Sequence, residues 1–190
     1  PEDTPIAISD LAQARTSYML SKIYGEALCR QSRLPYTIIR PHNFYGPRMG
    51  LSHVIPELLE RAYRAPEGGE LSVFSIGHRR TFCYIDDAVE MIVRAVESPA
   101  CEVDTLNIGR QEPEVFIGDL AEIIVDVVGK KMKIVSQSDT PGSPERRCPD
   151  ISRVLSKIDY TPHVNLEEGI REVFGWYRAN VFSEKERSAI

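Results

Sequence analysis

The chain has 190 residues, of which 42% are hydrophobic and 27% charged, enough to bury a core as a water-soluble α/β-sized domain. A formal net charge of −5, with a pI near 5.5, speaks against a nucleic-acid binder, which needs a concentrated basic face. No apolar run approaches a membrane span, and four scattered cysteines without a C-x-x-C pair are expected to be reduced thiols in a cytoplasmic protein.

The opening "PEDTPIAISD" reads as a polar loop. Ser9 or Asp10 is then positioned to cap a helix running to about Gln31. Within it Tyr18 and Lys22 stand four residues apart, so phenol and ammonium share one face. A free tyrosine titrates near about 10, and a neighbouring ammonium favours its phenolate, which would make the pair an acid/base usable at neutral pH. The spacing also arises by chance on surface helices.

"PYTIIRP" is a β-branched run suited to a buried parallel strand, closed by Pro41. "NFYGPRMG" reads as loop and "HVIPELLERAY" as helix. "ELSVFS" and "TFCYI" read as strands on either side of a turn at Gly77–His78. Asp86 or Asp87 is placed to cap the helix "AVEMIVRAVES", and "TLNIG" is a further strand. "GDLAEIIVDVVG" is a helix with Gly129 as its left-handed terminator. "KMKIVS" reads as strand, "TPGSPE" as loop and "DISRVLSKI" as a short helix. Asn165 and Glu168 suit an N-x-x-E capping box for the last helix, and residues 183–190 look frayed. Alternating helices and strands give an α/β class. The four histidines lack metal-ligand spacing, so no metal site is expected.

Four motifs follow in order: "YMLSKIYGE", "TIIRPHNFYGPR", "RTFCYIDD" and "RCPDI". Together they resemble the extended short-chain dehydrogenase/reductase family, specifically its NAD-dependent nucleotide-sugar epimerases and dehydratases. The resemblance implies the C-terminal part of a Rossmann-type NAD(P)-binding fold with a smaller α/β substrate-binding lobe. Residues 1–50 would belong to the dinucleotide-binding domain and 51–182 mainly to the substrate lobe, with a stretch near 86–109 returning to the former. The family's glycine-rich pyrophosphate loop has no counterpart, because the first glycine is Gly25, and its catalytic serine or threonine is also missing.

By the same resemblance Tyr18 is the acid/base and Lys22 the residue that holds the nicotinamide ribose. His42 lies where the backbone approaches the nicotinamide, with no catalytic role for its imidazole. Asn43, otherwise a turn-forming residue, matches a contact to the sugar nucleotide near its diphosphate. Arg80 and Arg147 match the two arginines that grip that diphosphate, for which planar guanidinium forks are suited. Arg79 competes for the role because the preceding turn, "SIGHRR", is short. Val54 and Phe74 fall where the nucleotide base packs, or are equally core. Phe116 stands where a Ser or Thr often caps the next helix, and Asp87 reads as a cap rather than a ligand contact.

The implied activity is C4 epimerisation through a transient 4-keto sugar, with NAD rather than NADP, in a homodimer built on the Tyr18 helix. Ala12, Met19 and Ile23 are its candidate outer seam. A 4,6-dehydratase, a UDP-glucuronate decarboxylase and a non-catalytic sugar-nucleotide-binding or scaffolding module are the alternatives.

Overall fold

The structure, a computed structural model, describes residues 1–6, 11–12 and 16–183. The expected cap at Ser9 or Asp10 and most of the expected tail lie outside them. The first described helix is α1, Thr16–Gln31, ending where the sequence places its end. Strand β1, Thr37–Pro41, follows, and "NFYG" contains a two-residue strand, β2 (Phe44–Tyr45), where a loop is expected. Next come α2 (Val54–Arg64), β3 (Glu70–Val73), β4 (Arg79–Arg80), β5 (Cys83–Tyr84) and α3 (Ile85–Glu97). The chain continues through β6 (Asp104–Ile108), β7 (Val115–Phe116), α4 (Ile117–Val128) and β8 (Lys133–Ser136). It closes with β9 (Arg146–Arg147), α5 (Ser152–Leu155) and α6 (Leu166–Tyr177), the last running into a wider turn over Arg178–Phe182.

The strands pair with distant partners. β1 runs parallel to β6, β2 to β5 and β3 to β8, while β4 lies between antiparallel β7 and parallel β9. The two strands flanking Gly77–His78 therefore do not pair with each other.

Two apolar cores result. The larger packs α2, α4 and α6 together, with Leu59, Leu120 and Ile170 fully buried and Tyr45 and Tyr84 below α6. Gly169 is required there, since a Cβ would collide with the Tyr45 hydroxyl and Tyr84 ring. Gly129 takes the left-handed conformation (φ 76°) that ends α4. Asn165 caps α6 by accepting from the Glu167 N–H at 2.9 Å. Phe116 opens α4 without a side-chain cap.

The smaller core lies between α3, β6 and α5, around Met91, Leu106, Ile108 and Val154. Neither Asp86 nor Asp87 caps α3. The N-cap residue is Tyr84, without a side-chain bond, and Asp87 sits inside the first turn, fully buried. Its carboxylate accepts from the Tyr160 hydroxyl (2.6 Å) and the backbone N–H groups of His163 and Val164. A carboxylate taken from water must find such donors. Asp87 thus ties the approach to α6 onto α3.

Candidate functional site

Side chains alternate along the parallel pair β1/β6. Ile39, Leu106 and Ile108 face the small core, so Arg40, Thr105 and Asn107 occupy the opposite face. That face receives α1. Glu26 grips Arg40 with both carboxylate oxygens at 2.7 Å, and Arg30 donates to the Thr105 hydroxyl at 2.6 Å. The hydrogen bond from Arg40 holds the Glu26 carboxyl below its ordinary range.

These two contacts set the helix direction: running back from Arg30 to Glu26 moves toward the C-terminal ends of the strands. One helical turn advances about 5.4 Å, close to two strand residues at ~3.3 Å each. Lys22 therefore comes level with residue 42, and Tyr18 stands a further turn beyond the strand ends. Ligands of open α/β sheets bind at this end. Both side chains are exposed, Tyr18 by 59%, and the Lys22 ammonium lies 5.2 Å from the centre of the Tyr18 ring.

His42 continues the same face. Its N–H donates to the Ile108 carbonyl (2.9 Å), and its Nε2 lies 3.2 Å from Oδ1 of Asn107. Burial, helped by the charges of Arg147 and Arg40, outweighs the Asn107 bond and lowers its pKa. Asn43 takes a left-handed conformation (φ 46°), its Nδ2 donates to the Thr81 carbonyl, and its own carbonyl accepts from Cys83. This is the turn-forming behaviour of asparagine.

Arg80 and Arg147, far apart in sequence, are register partners in β4 and β9. Arg80 is only 8% exposed and already engaged. It donates to the carbonyls of Arg79, Pro144 and Glu145 and to the Ser143 hydroxyl. Burial, and then Arg147, push its pKa down. Arg79 lies on the other side, 5.8 Å from the Phe116 ring, beside Arg146, which pairs with Glu114. Arg80 and Arg147 thus share one side of the sheet and Arg79 does not.

Val54 begins α2 and packs partly buried on the larger core, whereas Phe74, just beyond β3, is 47% exposed.

Two features escape the sequence. Residues 137–145 form a strap over the 72–80 turn, where Thr140 donates to the Ser75 hydroxyl and Arg79 to the Glu145 carbonyl. Glu2 is buried, accepting from the Asn107 N–H at 2.9 Å, while its carbonyl accepts from Arg40. Proline and glycine at 141–144 signalled only a loop, and nothing local distinguishes Glu2 from a solvated glutamate.

Residues 1–109 match the NAD dependent epimerase/dehydratase family, more than half of the chain. The chain belongs to that family. Over 180 residues it is 31% identical to "Probable GDP-L-fucose synthase 1" of Oryza sativa subsp. japonica, covering 89% of this chain and 54% of the rice protein. It is 30% identical to a UDP-N-acetyl-alpha-D-glucosaminuronate decarboxylase of Bacillus cytotoxicus, over 93% of this chain and 58% of that one. The fold superposes on the UDP-glucuronic acid 4-epimerase of Bacillus cereus, solved with UDP-glucuronic acid and NAD, with a TM-score of 0.77. Identity there is 25%, over 93% of this chain and 57% of the other. The chain thus spans little more than half the length of these relatives, and its fold is the Rossmann-type fold of the extended short-chain dehydrogenase/reductases.

Proposed function

We propose that this chain carries the substrate-binding residues and the acid/base pair of an NAD-dependent nucleotide-sugar epimerase, acting at C4 through a transient 4-keto sugar. The observation that carries the reading is the exposed Tyr18–Lys22 pair on α1, a helix that Glu26 and Arg30 fasten to the face of β1 and β6 so that its N-terminal end runs toward the strands' C-terminal ends. In this reading residues 1–50 and the stretch near 86–109 serve the dinucleotide side, and most of 51–182 the sugar-nucleotide side. The shared strand pair β1/β6 and the separate larger core support that division.

The donor set suits one end of a dinucleotide. The exposed Lys22 ammonium and Tyr18 hydroxyl would meet ribose hydroxyls, and the backbone at His42 would meet the nicotinamide. No glycine-rich loop for the pyrophosphate occurs among the 190 residues. When bound, NAD supplies the acceptor and donor of the hydride.

Tyr18 then takes the proton of the sugar hydroxyl and returns it, and the Lys22 charge beside it stabilises the phenolate. Arg147, exposed next to Arg80, meets the substrate diphosphate directly. Arg80 reaches it only by giving up bonds to the strap, so part of its role is to hold the strap in place. Asn43 shapes the turn beside the diphosphate, and Phe74 offers a face for the base, with Val54 behind it.

Leu20, Tyr24 and Leu28, at i, i+4 and i+8 and turned away from the Glu26 and Arg30 anchors, leave the outer side of α1 apolar and exposed, which supports a homodimer through this helix. Of the expected seam, Met19 and Ile23 share the helix face of Glu26 and Arg30, which turns toward the strands, so the proposed contact moves to Leu20, Tyr24 and Leu28.

The test is to incubate the whole protein and NAD with a panel of nucleotide sugars and identify products by NMR. A C4 epimer supports the reading. A 4-keto-6-deoxy sugar or a decarboxylated sugar would assign the relatives' other chemistries instead.

A further inference from the structure

The Asn107 amide decides which nitrogen of His42 carries the proton. Its Nδ2 donates to the carbonyl of Asp150 at 3.0 Å, and a carbonyl can only accept. Oδ1 is therefore the amide atom facing His42, 3.2 Å from Nε2. An oxygen without a hydrogen requires Nε2–H on the ring, so Nδ1 keeps its lone pair. Nδ1 makes no hydrogen bond among the described residues, and the ring is only half-buried. The tautomer is doubly braced, because the Asn107 backbone is itself held by the buried Glu2 carboxylate at 2.9 Å.

The ring lies on the α1 face of β1, level with Lys22, at the sheet end where ligands of such folds bind. We infer that the His42 imidazole is a ligand-contacting residue, a neutral acceptor whose Nδ1 receives an N–H or O–H from the bound ligand. The matching chemistry is a carboxamide N–H, as on a nicotinamide, or a sugar hydroxyl. An aromatic hydrocarbon ring of similar size could fill the same space but could not make this bond. The inference rests on the function proposed above and adds a polar contact to a position where only the backbone is otherwise engaged.

The test uses the whole protein labelled with 15N-histidine, the His42 signals being assigned by their loss in His42→Gln. The expected free state shows Nε2 protonated and Nδ1 bare. Calorimetry first establishes which ligands bind. If NAD alone moves the Nδ1 signal, the donor is on the cofactor, and if only a nucleotide sugar moves it, the donor is on the sugar. His42→Phe should weaken the responsible ligand about tenfold, the scale of one lost hydrogen bond, and His42→Gln, with one donor and one acceptor, should recover most of that. A protonated Nδ1, or an Nδ1 signal unmoved while both ligands saturate the protein, overturns the inference and leaves the function intact. A wild-type protein that binds neither NAD nor any of a panel of UDP-, GDP- and dTDP-sugars overturns both.

Discussion

The α2/α4/α6 lobe and the α1 helix are held by different forces. In the lobe, fully buried Leu59, Leu120 and Ile170 interlock, and α6 presses so closely on Tyr45 and Tyr84 that position 169 admits no side chain beyond hydrogen. On α1 only Thr16 is buried, and Tyr18, Met19, Leu20, Tyr24 and Leu28 are exposed. The helix is fastened by the Glu26–Arg40 pair and the Arg30–Thr105 bond. Packing therefore makes the lobe rigid, while the helix with the acid/base pair depends on polar anchors and on whatever covers its outer face. The candidate chemistry sits on the less buried of the two.

The sharpest way to break the comparison is through Tyr18. In the whole protein Tyr18→Phe should lower turnover about 10²–10⁴-fold, the span of acid–base catalysis, with nucleotide-sugar affinity nearly unchanged. Single-turnover kinetics would measure it, and near wild-type rates would remove Tyr18 from the chemistry.

In the lobe the loss should appear in stability instead. Leu59→Ala or Leu120→Ala is expected to cost about 2–5 kcal/mol in urea unfolding, because their tightly packed surroundings collapse only partly around the cavity. Asp87→Ala, which leaves the Tyr160 hydroxyl and two backbone N–H groups without their acceptor, should cost about 3 kcal/mol by the same measurement. A change below about 0.5 kcal/mol, the scale of ordinary surface substitutions, would show that water replaces the carboxylate readily.

The arginines separate stability from binding. Arg147→Ala should weaken nucleotide-sugar binding by about 2–3 kcal/mol with no change in unfolding. Arg80→Ala should lower both, since its guanidinium also holds the 143–145 carbonyls and hydroxyl. Calorimetry and thermal unfolding together distinguish them. A larger binding loss for Arg79→Ala would move the contact one residue back, to the side of the sheet that Phe116 and Glu114 occupy.

The smallest effect tests the polar anchor of α1. The folded pKa of Glu26 is depressed by Arg40, so the stability it contributes is present above the unfolded value and lost as pH falls through the folded one. Between pH about 6 and about 3, where carboxylates titrate, amide exchange in α1, corrected for its intrinsic pH dependence, should accelerate before exchange in α4. Equal acceleration of the two helices would show that α1 is part of the same cooperative unit as the lobe.

Local chemistry is legible in the sequence itself. The apolar spacing places α2 and α4, Gly129 marks the left-handed end of α4, Asn165 the start of α6, and β-branched "TII" the strand β1. The order of four short motifs identifies the family. These signals are readable because each depends on residues a few positions apart. Strand partnership is different: β3 meets β8 and β4 meets β9 across intervals of some sixty residues, and no periodicity records which remote edge will satisfy a given run of N–H and C=O groups. For the same reason Asp87 has the local marks of a cap, and only the tertiary structure brings Tyr160, His163 and Val164 to its carboxylate. Glu2 has the marks of a solvated side chain until folding lays it against Asn107, and the Nδ1 lone pair of His42 follows from that asparagine and the Asp150 carbonyl behind it. Residue type and spacing determined what each side chain could do. Burial and the arrival of distant donors decided which of those things it does.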